Sequence, residues 1–189
     1  PNIKGWKNFK LLPWLRKKIN CLMSVVSDRT AYVEGEVWQG AARGKKDVIY
    51  LAVGTGIGTG IMIEGRVIHG RSDLAGAAGW LALNPEFKPA YKRTGCFEAE
   101  ASGQALYWKS REFIRRYPGA LTLNGQAKSA VIKNPVEILC EAARSSQPEA
   151  VKLISEIQNY LAMGVANLVS LFNPEMIVLG GGVFKSADL

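Results

Sequence analysis

The segment 48–70, VIYLAVGTGIGTGIMIEGRVIHG, sets four glycines on alternate positions, Gly54, Gly56, Gly58 and Gly60, between two runs of strand-forming residues. Val48–Val53 reads as a buried strand and Ile61–Ile63 as a second one. Glu64 and Gly65 then make a two-residue turn into Val67 and Ile68. The segment is therefore a strand, a glycine-rich turn and a returning strand. A dinucleotide fingerprint or a Walker-type loop needs a helix to open directly after its glycines, so that phosphate sits on the helix N-terminus. No helix pattern follows here, and the glycine spacing fits neither motif. Thr55 and Thr59 supply hydroxyls, and backbone N–H groups can approach an anion where a Cβ would obstruct it. These residues alone leave two readings open: an anion cradle, or a tight hairpin whose glycines permit positive φ.

The flanking sequence supplies alternating helices and strands. Leu15, Ile19 and Leu22 keep helical spacing ahead of a short strand, MSVV, at 23–26. From Asp28 a helix is expected with Ala31, Glu34, Val37, Trp38 and Ala41 on one side, ended by GAARGKK, which reads as a boundary between parts. CFEAEASGQALYWKSREFIRRY reads as one amphipathic helix with Phe97, Ala101, Ala105 and Trp108 on one side. A shorter helix starts near Pro135, and a long one runs from about Pro148 to Phe172 with Val151, Ile154, Ile157, Leu161, Val165, Leu168 and Val169 as its apolar stripe. NPE stops it, and MIVLGGG is a strand with glycines directly behind. The class is α/β or mixed.

With 48% apolar residues, a chain of 189 residues can bury one compact core, or one domain plus part of another. No run of about 18 apolar residues occurs, so no membrane partner and a cytoplasmic location are expected. Cys21, Cys96 and Cys140 are odd in number and far apart, which fits reduced thiols and no metal-ligand spacing. The net charge of +8 is spread over Arg16–Lys18, Arg43–Lys46, Lys88–Arg93 and Arg111–Arg116 without any nucleic-acid-binding motif. A solvated basic surface is expected, and nucleic acid is not an expected partner.

PNIKGW, SDRTAYVEGE, LAVGTGIGTGIMIEGRVIHG, AGAAGW, GCFEAEASG and NPEMIVLGGGV occur in the order and spacing of ROK proteins, the repressor, open-reading-frame and kinase group, which the chain resembles over nearly its whole length. The resemblance implies the α/β fold of actin, hexokinase and the heat-shock chaperones, a ribonuclease H-like lobe with a mixed sheet flanked by helices. It also implies ATP with Mg2+, a sugar in the cleft, and homodimerisation. Under it Gly54, Thr55, Gly56, Gly58, Thr59 and Gly60 form a phosphate-binding hairpin, and Gly180, Gly181 and Gly182 approach the adenosine. Asp28 falls on the family's general base, which would accept a sugar hydroxyl's proton; read locally, it caps a helix. Ser27 and Glu98 fall on sugar-binding positions. Glu98 read locally is an acid in a helix's first turn.

The chain also departs from the family. Ala77, Ala78, Gly79 and Trp80 stand where a Glu-x-Gly-His segment is usual, and the cysteine-rich zinc loop is replaced by PEFKPAYKRTGC, so structural zinc is expected to be absent and no metal ligands are assigned. Trp80 could stack on a sugar face. The losses forfeit about 1–3 kcal/mol for each missing hydroxyl partner, enough to change the preferred sugar or to abolish useful affinity. The family's Asp-x-Gly-Gly-Thr motif does not occur, so 1–44 is expected to be the end of a small lobe and 45–189 a large lobe without its final helices. Turnover is not expected of these residues alone. The function implied is ATP-dependent phosphorylation of a hexose or amino sugar; the alternatives are a non-catalytic sugar or nucleotide binder and a transcriptional regulator.

Overall fold

The computed structural model describes residues 5–118, 122–123, 126–127 and 134–186. β1 (Val48–Val53) is the apolar run expected, and β2 (Ile57–Ile63) returns antiparallel with Val53 opposite Ile57. β2 starts at Ile57 rather than at Ile61, so the turn shrinks to Gly54, Thr55 and Gly56, closed by a bond from Gly54 N–H to the Gly56 carbonyl at 3.0 Å. None of the four alternate glycines has positive φ. Left-handed backbone is instead found at Glu64 and Gly65, with φ of 52° and 74°, the two-residue turn into β3 (Arg66–Val67).

β4 (Thr122–Leu123) and β5 (Gln126–Ala127) form a separate antiparallel pair, and β6 (Met176–Gly180) joins β1 in parallel. The main sheet runs β3-β2-β1-β6. Its register puts Ile49, Leu51, Val53, Ile57 and Ile61 on one face and Val48, Tyr50, Met62 and Val178 on the other. The first face carries the larger core.

Seven α-helices occur among the described residues: α1 (Leu11–Arg16), which buries no residue, α2 (Asp28–Gln39), α3 (Tyr91–Thr94), α4 (Cys96–Ala101), α5 (Gly103–Arg116), α6 (Pro135–Arg144) and α7 (Pro148–Phe172). α4 to α7 pack on the larger core, and Gly164 is the point where the fully buried Phe97 ring lies directly on α7. A mid-helix glycine costs roughly 1 kcal/mol against alanine, here offset by that contact. α2 lies on the opposite face, where Val33 and Ala42 share a small core with Val48 and Met62. GAARGKK thus joins two elements of one core. Asn173 ends α7 in the left-handed conformation, with φ of 43°. Glu175 then accepts from Lys46 N–H at 2.7 Å and Asp47 N–H at 3.1 Å, tying the start of β1 to that of β6.

Several expected elements are corrected. Residues 23–26 form no strand, and Val25 and Val26 are half exposed; a strand needs a hydrogen-bonded neighbour, and none is present among the described residues. α1 stops at Arg16, leaving Leu22 fully exposed. α2 buries Thr30 and Val33, not the side bearing Ala31, Glu34 and Trp38, because the glycines of β2 pull the other face inward. Within α7, Ile157, Gly164 and Leu168 are buried while Val151 and Val169 are exposed. The single helix expected from Cys96 is two, broken at Ser102, and Trp108 is exposed.

Candidate functional site

The break at Ser102 is what builds the site. Ser102 Oγ caps α5 by accepting from Ala105 N–H at 3.1 Å. The first N–H groups of a helix lack intrahelical partners, and those of Gly103 and Gln104 donate outward to the Gly54 and Thr55 carbonyls, at 2.7 and 3.4 Å. The bend 54–56 is thereby seated on the start of α5.

A cleft of about 580 Å³ lies over this junction, lined among others by Gly54, Thr55, Gln104, Tyr107, Asn134 and Gly182. It joins two of the glycine segments singled out from the sequence. A cleft of about 550 Å³ between α5 and α7 is instead ringed by Lys109, Glu112, Arg116, Glu149, Lys152 and Glu156, alternating charges with no glycine or open backbone to receive a phosphate.

The glycines divide sharply by what a Cβ would meet. At Gly56 it would stand 2.5 Å from Glu98 Oε2, and at Gly58 2.9 Å from Arg29 Cδ. At Gly60 it would strike the Arg29 carbonyl and lie 2.9 Å from Val33 Cβ. Gly180 is crowded by the Tyr50 ring, 3.0 Å from its Cε2, and Gly181, at φ 106°, by the end of β1, 2.9 Å from Val53 N. At Gly54 and Gly182 a Cβ would meet nothing within 4 Å. Five of these seven glycines are thus accounted for by the chain's own packing; Gly54 and Gly182 are not. Thr59 is buried, and its hydroxyl donates to the Gly76 carbonyl at 3.0 Å, so it is turned away from the cleft. Thr55 lines it.

Of the expected sugar-side residues, Glu98 and the turn bearing Trp80 meet at Ile57, the first residue of β2, while the side chains of Ser27 and Asp28 bond, among the described residues, only within 27–29. Glu98 is half-buried and its Oε2 accepts from Ile57 N–H at 2.7 Å. Gly79 lies beside it: a Cβ there would be 3.2 Å from Oε2. The short 3-10 turn Ala78–Trp80 therefore packs on Glu98, with the Trp80 indole 59% exposed. On the other face, Arg29 runs along Gly58, and its guanidinium donates to the Asp73 carbonyl at 3.0 Å. Asp28 begins α2 and is exposed. Its Oδ1 accepts from Arg29 N–H at 2.9 Å and from Ser27 Oγ at 3.4 Å, while Oδ2 has no partner among the described residues.

Sequence reasoning missed one cluster entirely. Glu100 is 4% exposed and is held by Lys88 Nζ at 2.5 Å, the Tyr91 hydroxyl at 2.5 Å and Lys109 Nζ at 2.9 Å. Burial pushes the carboxyl up, but those three donors outweigh it and hold its pKa at about 2. Burial and the Glu100 carboxylate push the Tyr91 phenol far up. Asn84 donates to both Tyr91 and Tyr160 at 3.1 Å. The connection 84–95 is fastened by this network. Among the described residues no cluster of His, Cys, Asp or Glu is placed to hold a metal ion, so the family's zinc does not fit this loop. The residues named for the 580 Å³ cleft include no carboxylate to hold magnesium. Basic side chains are also partly neutralised, Arg115 and Arg116 by Glu112. No helix among the described residues is long and apolar enough to cross a membrane.

Comparison with known proteins agrees with this architecture. The ROK family model matches residues 1–189. A glucokinase of Thermotoga maritima is 32% identical, the match covering 100% of this chain and 59% of that protein. A xylose repressor of Caldicellulosiruptor bescii is 30% identical, over 95% of this chain and 44% of the repressor. The crystal structure of a ROK family glucokinase from Streptomyces griseus, in complex with glucose and AMPPNP, superposes with a TM-score of 0.75 at 29% identity, covering 96% of this chain and 59% of that one. The chain thus spans about three fifths of the length of the kinases it matches. The fold is that of the actin and hexokinase group, and the chain belongs to the ROK family.

Proposed function

We propose that the complete protein transfers the terminal phosphoryl group of ATP to a hydroxyl of a hexose or amino sugar. The observation that carries this reading is the pair Gly54 and Gly182, the two glycines of the 54–60 and 180–182 segments whose missing Cβ no protein atom explains, both lining one cleft. Backbone left bare toward a cleft suits the polyphosphate and ribose of a nucleotide. Thr55 adds a hydroxyl at the bend and Tyr107 an aromatic wall.

On this reading the sugar lies against Glu98, Ser27 and the turn bearing Trp80. Asp28 accepts the proton of the attacking hydroxyl at Oδ2 while that oxygen bonds to the γ-phosphorus and the bond to the β–γ bridging oxygen breaks, releasing ADP. Magnesium would have to be held by residues other than those named for the cleft, and no step is assigned to it. A cytoplasmic homodimer with sugar and ATP as its ligands belongs to the same proposal. So does a small lobe ending near residue 44, although the seating of α2 on the sheet argues for a junction before Asp28.

The replacement of Glu-x-Gly-His by Ala77–Trp80 and the likeness to a xylose repressor favour one second reading, a sugar-responsive regulator without turnover. The deciding experiment couples ADP release to an indicator reaction with a panel of hexoses and amino sugars. Turnover that Asp28→Asn lowers by about 100-fold or more, with AMPPNP binding retained, supports the kinase. Nucleotide or sugar binding with no turnover on any sugar supports the regulator.

A further inference from the structure

Glu98 stands between the bend and the turn bearing Trp80. Its Oε2 bonds to Ile57 N–H, 41 positions away in sequence, where the bend returns into β2. Gly56 and Gly79 flank the carboxylate so closely that a Cβ on either would press on Oε2. The same helix pair holds the other end of the bend: Ser102 N–H bonds to the Glu98 carbonyl, and the next residue, Gly103, donates to Gly54. Oε1 has no partner among the described residues, and Glu98 lines a cavity of about 240 Å³ that shares Gln104 and Trp108 with the cleft of Gly54 and Gly182.

We propose that Glu98 is a positioning residue that couples the two ligands: Oε2 fixes the bend that meets the nucleotide while Oε1 receives a sugar hydroxyl, so that each ligand tightens the other. The inference rests on the functional reading above and adds its linkage. A carboxylate shared between an amide and a hydroxyl is held in the bound rotamer by either contact, so ordering by one ligand lowers the cost of the second. Coupling of this kind is reciprocal.

The test uses the complete protein, AMPPNP, and whichever of glucose, mannose or N-acetylglucosamine raises its melting temperature. Glu98→Ala removes the acceptor; Glu98→Gln keeps a carbonyl that can accept from Ile57. In the ligand-free protein, amide exchange at Ile57 is expected to quicken at least about tenfold in Glu98→Ala and to return toward the original rate in Glu98→Gln. AMPPNP alone should bind about tenfold more weakly to Glu98→Ala than to the unaltered protein or Glu98→Gln. Saturating sugar should tighten AMPPNP in the unaltered protein and have no such effect in Glu98→Ala. Unchanged Ile57 exchange in Glu98→Ala, or a bound sugar that leaves AMPPNP affinity unmoved in the unaltered protein, overturns the proposal. If the unaltered protein binds no AMPPNP, the functional reading fails and the coupling with it, whereas the exchange arm still decides whether Glu98 holds the bend.

Discussion

Replacing Glu100 by glutamine removes the charge at the centre of a buried cluster while keeping its shape. The carboxylate, 4% exposed, sits among Lys88, Tyr91 and Lys109, and its pKa falls from an ordinary 4.5 to about 2. A folded pKa below the unfolded one means stability that is fully present above the unfolded value and lost as pH falls through the folded value, here between about 4.5 and about 2. The difference corresponds to about 3 kcal/mol, and solvent around the half-exposed Lys88 lowers this to about 2 kcal/mol. Glu100→Gln should therefore cost about 2 kcal/mol in urea unfolding at neutral pH, followed by tryptophan fluorescence. Near pH 3 the unfolded chain has taken up the proton and the folded one has not, so about half of that cost should be gone. Lys109→Met in the Glu100→Gln background should add less than it does alone, because the two share a bond. A cost below about 0.5 kcal/mol at neutral pH, or an equal cost at both pH values, would refute the reasoning.

Gly60→Ala drives a methyl into the Arg29 carbonyl and Val33, so α2 must lift from the sheet; a loss of at least about 2 kcal/mol is expected by calorimetry, and an unchanged melting temperature would contradict the packing described. Ser102→Ala removes the acceptor for Ala105 N–H and should cost about 1 kcal/mol, with faster amide exchange confined to the first turn of α5. Equal exchange in both proteins would remove the cap from the account.

Much of the fold is legible because local chemistry and burial agree. β1 is apolar at every position since both faces of a central strand are covered. α6 and α7 open on Pro135 and Pro148 at their first turns, and Asn173 and Pro174 close α7. The misreadings have physical causes too. Gly58 and Gly60 look like turn residues, yet they are strand residues thinned to admit α2, and one misplaced start for β2 carries the wrong face of α2 with it. The strand expected at 23–26 has suitable residues but no neighbour, and pairing is not a local property.

The site was legible as segments rather than as a surface. Glycine patterns pointed to 54–60 and 180–182, but only the packed chain separates glycines needed by neighbouring atoms from Gly54 and Gly182. Gln104, Tyr107 and Asn134 enter the cleft from α5 and from the residue before α6. The Ser102-Gly103 pair, a cap followed by a flexible residue, was the readable trace of that corner. Glu100 had a trace as well: it stands on the buried side of α4 between Phe97 and Ala101, where an acid demands partners.

The central claim is that Gly54 and Gly182 are glycine for the sake of a nucleotide. Titration calorimetry with AMPPNP on the complete protein, beside Gly54→Ala and Gly182→Ala, tests it most directly. Since a methyl at either position meets no protein atom, both variants should keep their melting temperature, yet bind AMPPNP about tenfold or more weakly. Affinity equal to that of the unaltered protein in both variants would contradict it.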